Sequence, residues 1–222
     1  MNLSKSLEFF DPINDVSGQI HIIGVGAMGS RVAELLVRLG IPKIHIWDMD
    51  TVEDKNIANQ LYFHHQIGMN KTDALEEILI DINPELTVIK HSKYTDQSLS
   101  GYVFLNVDSI ELRHEIASAN KDNIHIKAMF DCRMRLEDAQ SFAADWSNEK
   151  HKQQFINSMD FTDAEAQEAT PVSACGTTLS VASTVTSTAA FTVSNFMNLI
   201  RKKELYGTMI FVNAFEHTVI KY

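Results

Sequence analysis

Ile20–Asp50 reads IHIIGVGAMGSRVAELLVRLGIPKIHIWDMD, and the order of residue types in it decides the fold. Ile20, Ile22 and Ile23 form a short apolar run suited to a strand buried on both faces. Gly24, Gly26 and Gly29 follow at once in the spacing G-x-G-x-x-G. From Arg31 to Leu39 the residues Val32, Leu35, Leu36 and Leu39 recur at helical spacing, and Gly40 and Pro42 stop that helix. Ile44, Ile46 and Trp47 make a second strand ending at Asp48. Glycines let backbone approach a phosphate, and the helix N-terminus offers unpaired N–H groups and the positive end of its dipole. An acid at the tip of the second strand can take a ribose hydroxyl. A glycine fingerprint alone is weak, but strand, turn, helix, strand and acid in sequence point to a nucleotide site.

The rest of the chain sets limits on what surrounds this unit. Its 222 residues suffice for one large α/β domain over 1–222. A formal net charge of -10 disfavours non-specific binding to nucleic acid or an anionic membrane, so a bound nucleotide needs a local cradle. Cys132 and Cys175 are the only cysteines, too few for a zinc tetrad. No apolar run is long enough to span a bilayer, and the N-terminus lacks a signal-peptide core, so the expected compartment is cytoplasmic.

Before Val16 the chain reads as an arm, residues 1–15, with Leu7, Phe9 and Phe10 able to pack on something and Pro12 ending any helix. Thr72 is placed to cap a helix through Leu75, Ile78, Leu79 and Ile82. Strands are expected around Leu86–Ile89, Tyr102–Val107, Ile124–Phe130 and Ser141–Ala144, with a helix capped by Ser109 after Asp108. The alternation predicts a doubly wound, mostly parallel sheet with helices on both faces. Residues 146–174 turn polar and acidic and read as a mobile crossover without core residues. A helix rich in Ala, Ser, Thr and Val follows from Thr178 to Ile200, suited to a subunit interface or a deep position. Met209–Val212 and His217–Ile220 close the chain as strands.

Beyond Asp48 the sequence continues Asp50, Val52, Asn56 and Gln60 in the pattern D-x-D-x-V-x-x-x-N-x-x-x-Q, with Gly68-Met69-Asn70-Lys71 behind it. Val107-Asp108-Ser109 is followed by Arg113. From Ile20 to Asn120 these motifs, in this order, resemble the ThiF/MoeB/HesA family, the bacterial relatives of ubiquitin-activating enzymes. The surroundings of Cys175, Ala-Cys-Gly-Thr-Thr, resemble compact members from phages and plasmids. The resemblance implies ATP- and magnesium-dependent adenylation of the C-terminal glycine of a ubiquitin-fold partner, usually by a homodimer. It assigns Gly24, Gly26 and Gly29 to the nucleotide loop and Asp48 to the ribose. Asp50, Asn59 and Gln60 fall among the nucleotide contacts, Asn56 and Lys71 reach the phosphates, and Asp108 holds magnesium.

The chain also departs from that family. Asn59 stands where many members carry arginine, the arm contains no arginine, and the four zinc cysteines are missing, so no zinc is expected. A triphosphate then needs positive charge from elsewhere: within the chain Arg31 and Arg113 are the nearest candidates, and a separate partner protein is the other source. Lys71 at a helix start faces the positive dipole end, a mismatch that a phosphate would repair. Cys175 is expected to open the late helix, where the dipole lowers a thiol pKa; it is the one candidate for a transfer thiol, against the commoner reading of a small buried cysteine. Cys132 reads as core, and His64-His65 as surface. Two rival readings fit part of the pattern. A non-catalytic scaffold subunit is favoured by Asn59. A nicotinamide-dependent oxidoreductase shares the glycine loop and Asp48 but leaves Asn56, Lys71 and Asp108 without a role.

Overall fold

The computed structural model describes residues 1–172 and 179–222. Strand β1 (Ile20–Ile23) is wholly buried, as its apolar run requires. Helix α2 (Ala27–Arg38) begins directly after Gly26, four residues earlier than the apolar spacing suggests, so Gly29 lies inside it. Strands β2 (Lys43–Trp47), β3 (Thr87–His91), β4 (Gly101–Leu105) and β5 (Ile126–Met134) follow the expected order. Strands β6 (Asp138–Asp145), β7 (Met209–Asn213) and β8 (Thr218–Lys221) complete one sheet in the order β3-β2-β1-β4-β5-β6-β7-β8. The first five strands pair in parallel and the last three join antiparallel. The chain winds outward from β1 to β3 and then returns to the other side of β1 with β4. That reversal opens a crevice at the carboxyl ends of β1 and β4, where ligands bind in such sheets.

One sheet face packs against α2, α3 (Lys71–Ile82) and α7 (Ala182–Lys202) through Ile22, Ile44, Phe104, Phe130 and Phe196. The other packs against α4 (Ile110–Ala119) and α5 (Glu149–Asn157) through Val103, Leu105, Met129, Trp146 and Phe155. The crossover is therefore not a coreless excursion. Trp146, Phe155, Ile156 and Met159 are buried in it, spaced so that α5 turns one apolar side to the sheet, and α6 (Asp163–Glu168) follows. No helix among the described residues is long and apolar enough to cross a membrane.

Two local expectations change, at Pro12 and at Thr72, and the arm and the late helix each take one of the places left open for them. Pro12 starts a helix instead of ending one: Asp11 caps α1 (Pro12–Asp15), and proline suits a first turn because its missing N–H would be unpaired there anyway. The arm docks on its own domain, with Phe10 buried edge-on against Phe196. Helix α3 starts at Lys71, with Asn70 and not Thr72 at the capping position. The small β-branched side of α7, with Thr188, Ala189 and Thr192, lies deep against the sheet and α2. Arm and α7, the two features behind the homodimer expectation, are thus both used within the chain.

A row of imidazoles crosses the sheet. His21 stacks beside His45, His45 Nδ1 lies 3.1 Å from His91 Nε2, and the His91 ring stacks on Trp47. Burial, reinforced by neighbouring imidazoles, lowers the His21 pKa to about 3, while burial and then His91 lower that of His45 to about 4. The folded state thus holds these rings neutral, whereas an unfolded histidine titrates near 6.5. Below pH 6.5 the unfolded chain binds more protons, so stability falls with pH until the folded values are reached. For His21 the loss is about 2 kcal/mol at pH 5. Denaturant unfolding at pH 7.5 and pH 5 should show this drop, and His21→Leu should flatten it. An equal drop in that variant would assign the acid sensitivity elsewhere.

Candidate nucleotide site

The carboxyl ends of β1, β2 and β4 open into a cleft of about 1020 Å³, at the upper end of the range for small-molecule sites. Its floor is the glycine loop. Gly24 has φ +86°, and a Cβ there would come within 2.7 Å of the Asn106–Val107 backbone, so only glycine lets β1 and β4 end side by side. Gly29 packs against the Gly24 carbonyl, bringing α2 onto the loop. A Cβ on Gly26 would meet nothing nearer than Gln60 Nε2 at 3.9 Å. This gap lies at the uncapped N-terminus of α2, as a phosphate cradle requires.

The residues assigned from sequence fall into three groups. Asp48, Asp50, Gln60, Lys71 and Asp108 line the cleft together with the glycine loop. Asp48 Oδ2 accepts the Val25 N–H at 2.9 Å, and Oδ1 accepts the Asp50 N–H at 2.9 Å, so the carboxylate is locked at the strand tip. Lys71 is buried at the first turn of α3, its Nζ 2.9 Å from Asp50 Oδ2. Asp50 therefore already offsets the unfavourable position of this cation, a role the sequence reading gave to phosphate. Asp108 projects exposed from the turn after β4 and, among the described residues, accepts no hydrogen bond. Gln60 Oε1 is buried and unpartnered among the described residues, a cost that a ligand donor would remove.

A second group serves the framework. Asn56 is buried, its Oδ1 accepting the Glu53 N–H at 2.8 Å to close the single 3-10 turn Asp54–Asn56. Asn59 donates its amide to Ser180 Oγ, tying the loop to the chain before α7. Arg31 pairs with Glu34 at 3.2 Å and does not line the cleft. Arg113 is 6% exposed, and its guanidinium is spent on the Val107 carbonyl, Asp131 and the Cys132 carbonyl. Arg113 lines the cleft but its guanidinium is taken up by the wall behind it, while Arg31 lies outside the cleft with its Nε buried and unpartnered among the described residues. Cys132 behaves as core: burial pushes its thiol up to about 11, and Sγ lies 3.1 Å from Thr192 Oγ1.

The third group is Cys175 alone, which lies outside the described residues. Helix α7 opens at Ala182 among the described residues, and the expected start at Thr178 lies outside them.

Sequence reasoning missed Asn106, which lines the cleft, and Tyr62 and Asp131, which brace its wall from behind. Tyr62 is buried, and its hydroxyl donates to the Val25 carbonyl at 2.7 Å, bracing the glycine loop. Burial, then Asp48 and Asp50, raise its pKa and keep it a neutral donor. Asn106 lines the cleft at the tip of β4, both amide atoms buried and unpartnered among the described residues. Its place before Val107-Asp108 was the available signal. Asp131, with no exposed surface, bridges Arg113 and Arg133 behind the cleft wall.

Magnesium fits this site through Asp108. Among the described residues no three acids, histidines or cysteines form a metal cage. Magnesium in nucleotide sites usually takes one or two carboxylates and completes its shell with phosphates and water.

Comparison with known proteins gives the chain a family and its fold a set of neighbours. Over 84 residues the chain is 44% identical to ubiquitin-like modifier-activating enzyme 5 of Oryza sativa subsp. japonica, a match covering 37% of this chain and 19% of that protein. The corresponding enzyme of Caenorhabditis elegans is 38% identical over 73 residues, 33% of this chain and 17% of its own. The chain thus matches under a fifth of the length of these relatives. Among solved structures, E. coli MccB with MccA superimposes with a TM-score of 0.73 at 17% identity, covering 95% of this chain and 65% of that one. PaaA gives 0.71 at 16% identity, covering 92% and 72%. These two likenesses carry the fold alone. The ThiF family model matches residues 13–221, nearly the whole of the chain, which therefore belongs to the ThiF family.

Proposed function

We propose that this protein adenylates the C-terminal glycine carboxylate of a ubiquitin-fold protein, using ATP and magnesium and releasing pyrophosphate. The observation that carries this reading is the meeting of Asp48, Lys71 and Asp108 in one cleft above an open glycine loop. In this reading the loop and the N-terminus of α2 receive phosphate oxygens, and the locked Asp48 carboxylate takes a ribose hydroxyl. Lys71 turns from Asp50 to the phosphates when the nucleotide binds and is in place before charge builds up on them. Attack at the α-phosphate gathers negative charge on oxygens, so a fixed ammonium is worth most there. Asp108 holds the magnesium, which supplies Lewis-acid stabilisation of the phosphate charge when bound. The match to ubiquitin-like modifier-activating enzymes supports the substrate class. The cleft has room beyond the nucleotide end, along Arg133, Met134 and Phe142, for the tail of a second substrate.

A second reading, a scaffold without catalysis, is favoured by Asn59, which brings no charge and is occupied by Ser180. Calorimetry separates these readings from a nicotinamide enzyme. ATP with magnesium should bind at least tenfold more tightly than NAD, and a ubiquitin-fold partner should then elicit ATP–pyrophosphate exchange. NAD binding without ATP binding would refute both readings, while ATP binding without exchange would select the scaffold.

A further inference from the structure

The turn that carries Asp108 is gripped from both sides, and both grips lead to the crossover. On one side Arg113 Nε donates to the Val107 carbonyl at 2.6 Å, and Arg113 also holds Asp131. Asp131 Oδ2 accepts Arg133 Nε at 2.6 Å, and Arg133 reaches the Ser158 carbonyl at 2.5 Å and its hydroxyl at 2.9 Å. Ser158 ends α5. On the other side Asp163, the first residue of α6, accepts the Ser109 hydroxyl at 2.8 Å and the Ile110 N–H at 2.6 Å, with Glu111 N–H at 3.3 Å. Ser109 in turn caps Leu112 N–H at 3.0 Å. Between the gripped residues Val107 and Ser109, Asp108 is exposed and lines the cleft.

We propose that Asp163 is a positioning residue for Asp108, so that the seated crossover sets the carboxylate that receives the metal ion. A carboxylate at a helix N-terminus is favoured by the dipole and by the N–H groups it binds. Asp163 fixes Ser109 and Ile110, the two residues after Asp108, and lies in the cleft wall with Ala166 and Thr170. Charge-assisted bonds on both flanks fix the backbone at Asp108, and with it the direction in which the side chain leaves the turn. Loosening one flank costs orientation of Asp108 and leaves the glycine loop untouched.

The proposal rests on the adenylation reading, and metal-dependent binding tests it apart from turnover. ATP binding is measured calorimetrically on the whole chain across a magnesium titration, without any acyl acceptor. Asp163→Ala is expected to raise the magnesium concentration for half effect at least tenfold while metal-free ATP binding stays within twofold. Asp163→Asn keeps an acceptor oxygen and should stay within threefold of wild type. Unchanged magnesium dependence in Asp163→Ala, or an equal loss of metal-free binding, overturns the proposal. Should the alanine variant not fold, Asp163→Glu moves the carboxylate by one methylene and must show the same selective loss. Failure of wild type to bind ATP would instead bring down the adenylation reading.

Discussion

Replacing Arg113 by alanine is expected to cost about 3–5 kcal/mol of stability, because it strands a buried acid. Asp131 has no exposed surface and is held by two guanidiniums, Arg113 and Arg133. Removing Arg113 leaves the Val107 and Cys132 carbonyls without their donor and halves the charge compensation of Asp131. At this chain length the loss corresponds to a fall in melting temperature of roughly 6–20 °C. The sequence alone suggested the opposite, a phosphate-binding arginine whose loss would spare the fold. Chemical denaturation of Arg113→Ala, Asp131→Ala and the double variant decides between the two. The double variant should be less destabilised than the sum of the singles, since it removes the stranded charge along with its partner. Additive effects below about 1 kcal/mol would mean that Arg113 is a free cation of the cleft wall and not a support of the fold.

What the sequence made legible was set by local pattern. The glycine spacing, the acid at the tip of β2 and the cap at Ser109 are properties of a few adjacent residues, and each stands where expected. Phe155 and Ile156 were illegible for the opposite reason: a polar, acidic stretch hides one apolar side of a short helix, and burial is decided by what the sheet offers opposite. Arg113 shows the same limit in the site. Its spacing from Asp108 is readable, but its direction is fixed by Asp131, 18 residues away on a neighbouring strand. Asp163 lies 54 residues from Ser109, and nothing in either neighbourhood announces the pair. Tyr62 and Asn106 were missed because a single tyrosine or asparagine in a loop carries no periodicity at all.

The pairing of Lys71 with Asp50 gives the largest effect expected on activity. Nζ sits 2.9 Å from Asp50 Oδ2, but the two ends differ in burial: the lysine side chain is 9% exposed and the aspartate 59%. Water screens the aspartate, so the pair adds little stability and is easily exchanged for another anion. A triphosphate carries several charges and lies, in the proposed mode, over the same wall of the cleft. Lys71 then gives up one half-solvated carboxylate for a denser anion, and the difference favours the bound state. Losing one such fixed donor to transition-state charge costs about 10²–10³ in rate. Lys71→Ala is therefore expected to lower pyrophosphate exchange by about that factor while the melting temperature moves by only about 2–4 °C, the shift for 1 kcal/mol at this size. Asp50→Asn removes the competitor and keeps the lysine, so ATP affinity should hold or rise. Calorimetry and exchange on both variants test the pair together. If Asp50→Asn weakens ATP binding as much as Lys71→Ala does, Asp50 is itself a nucleotide contact or the support that holds Lys71 in place. The exchange of partners would then be the wrong account of how this buried cation serves the cleft.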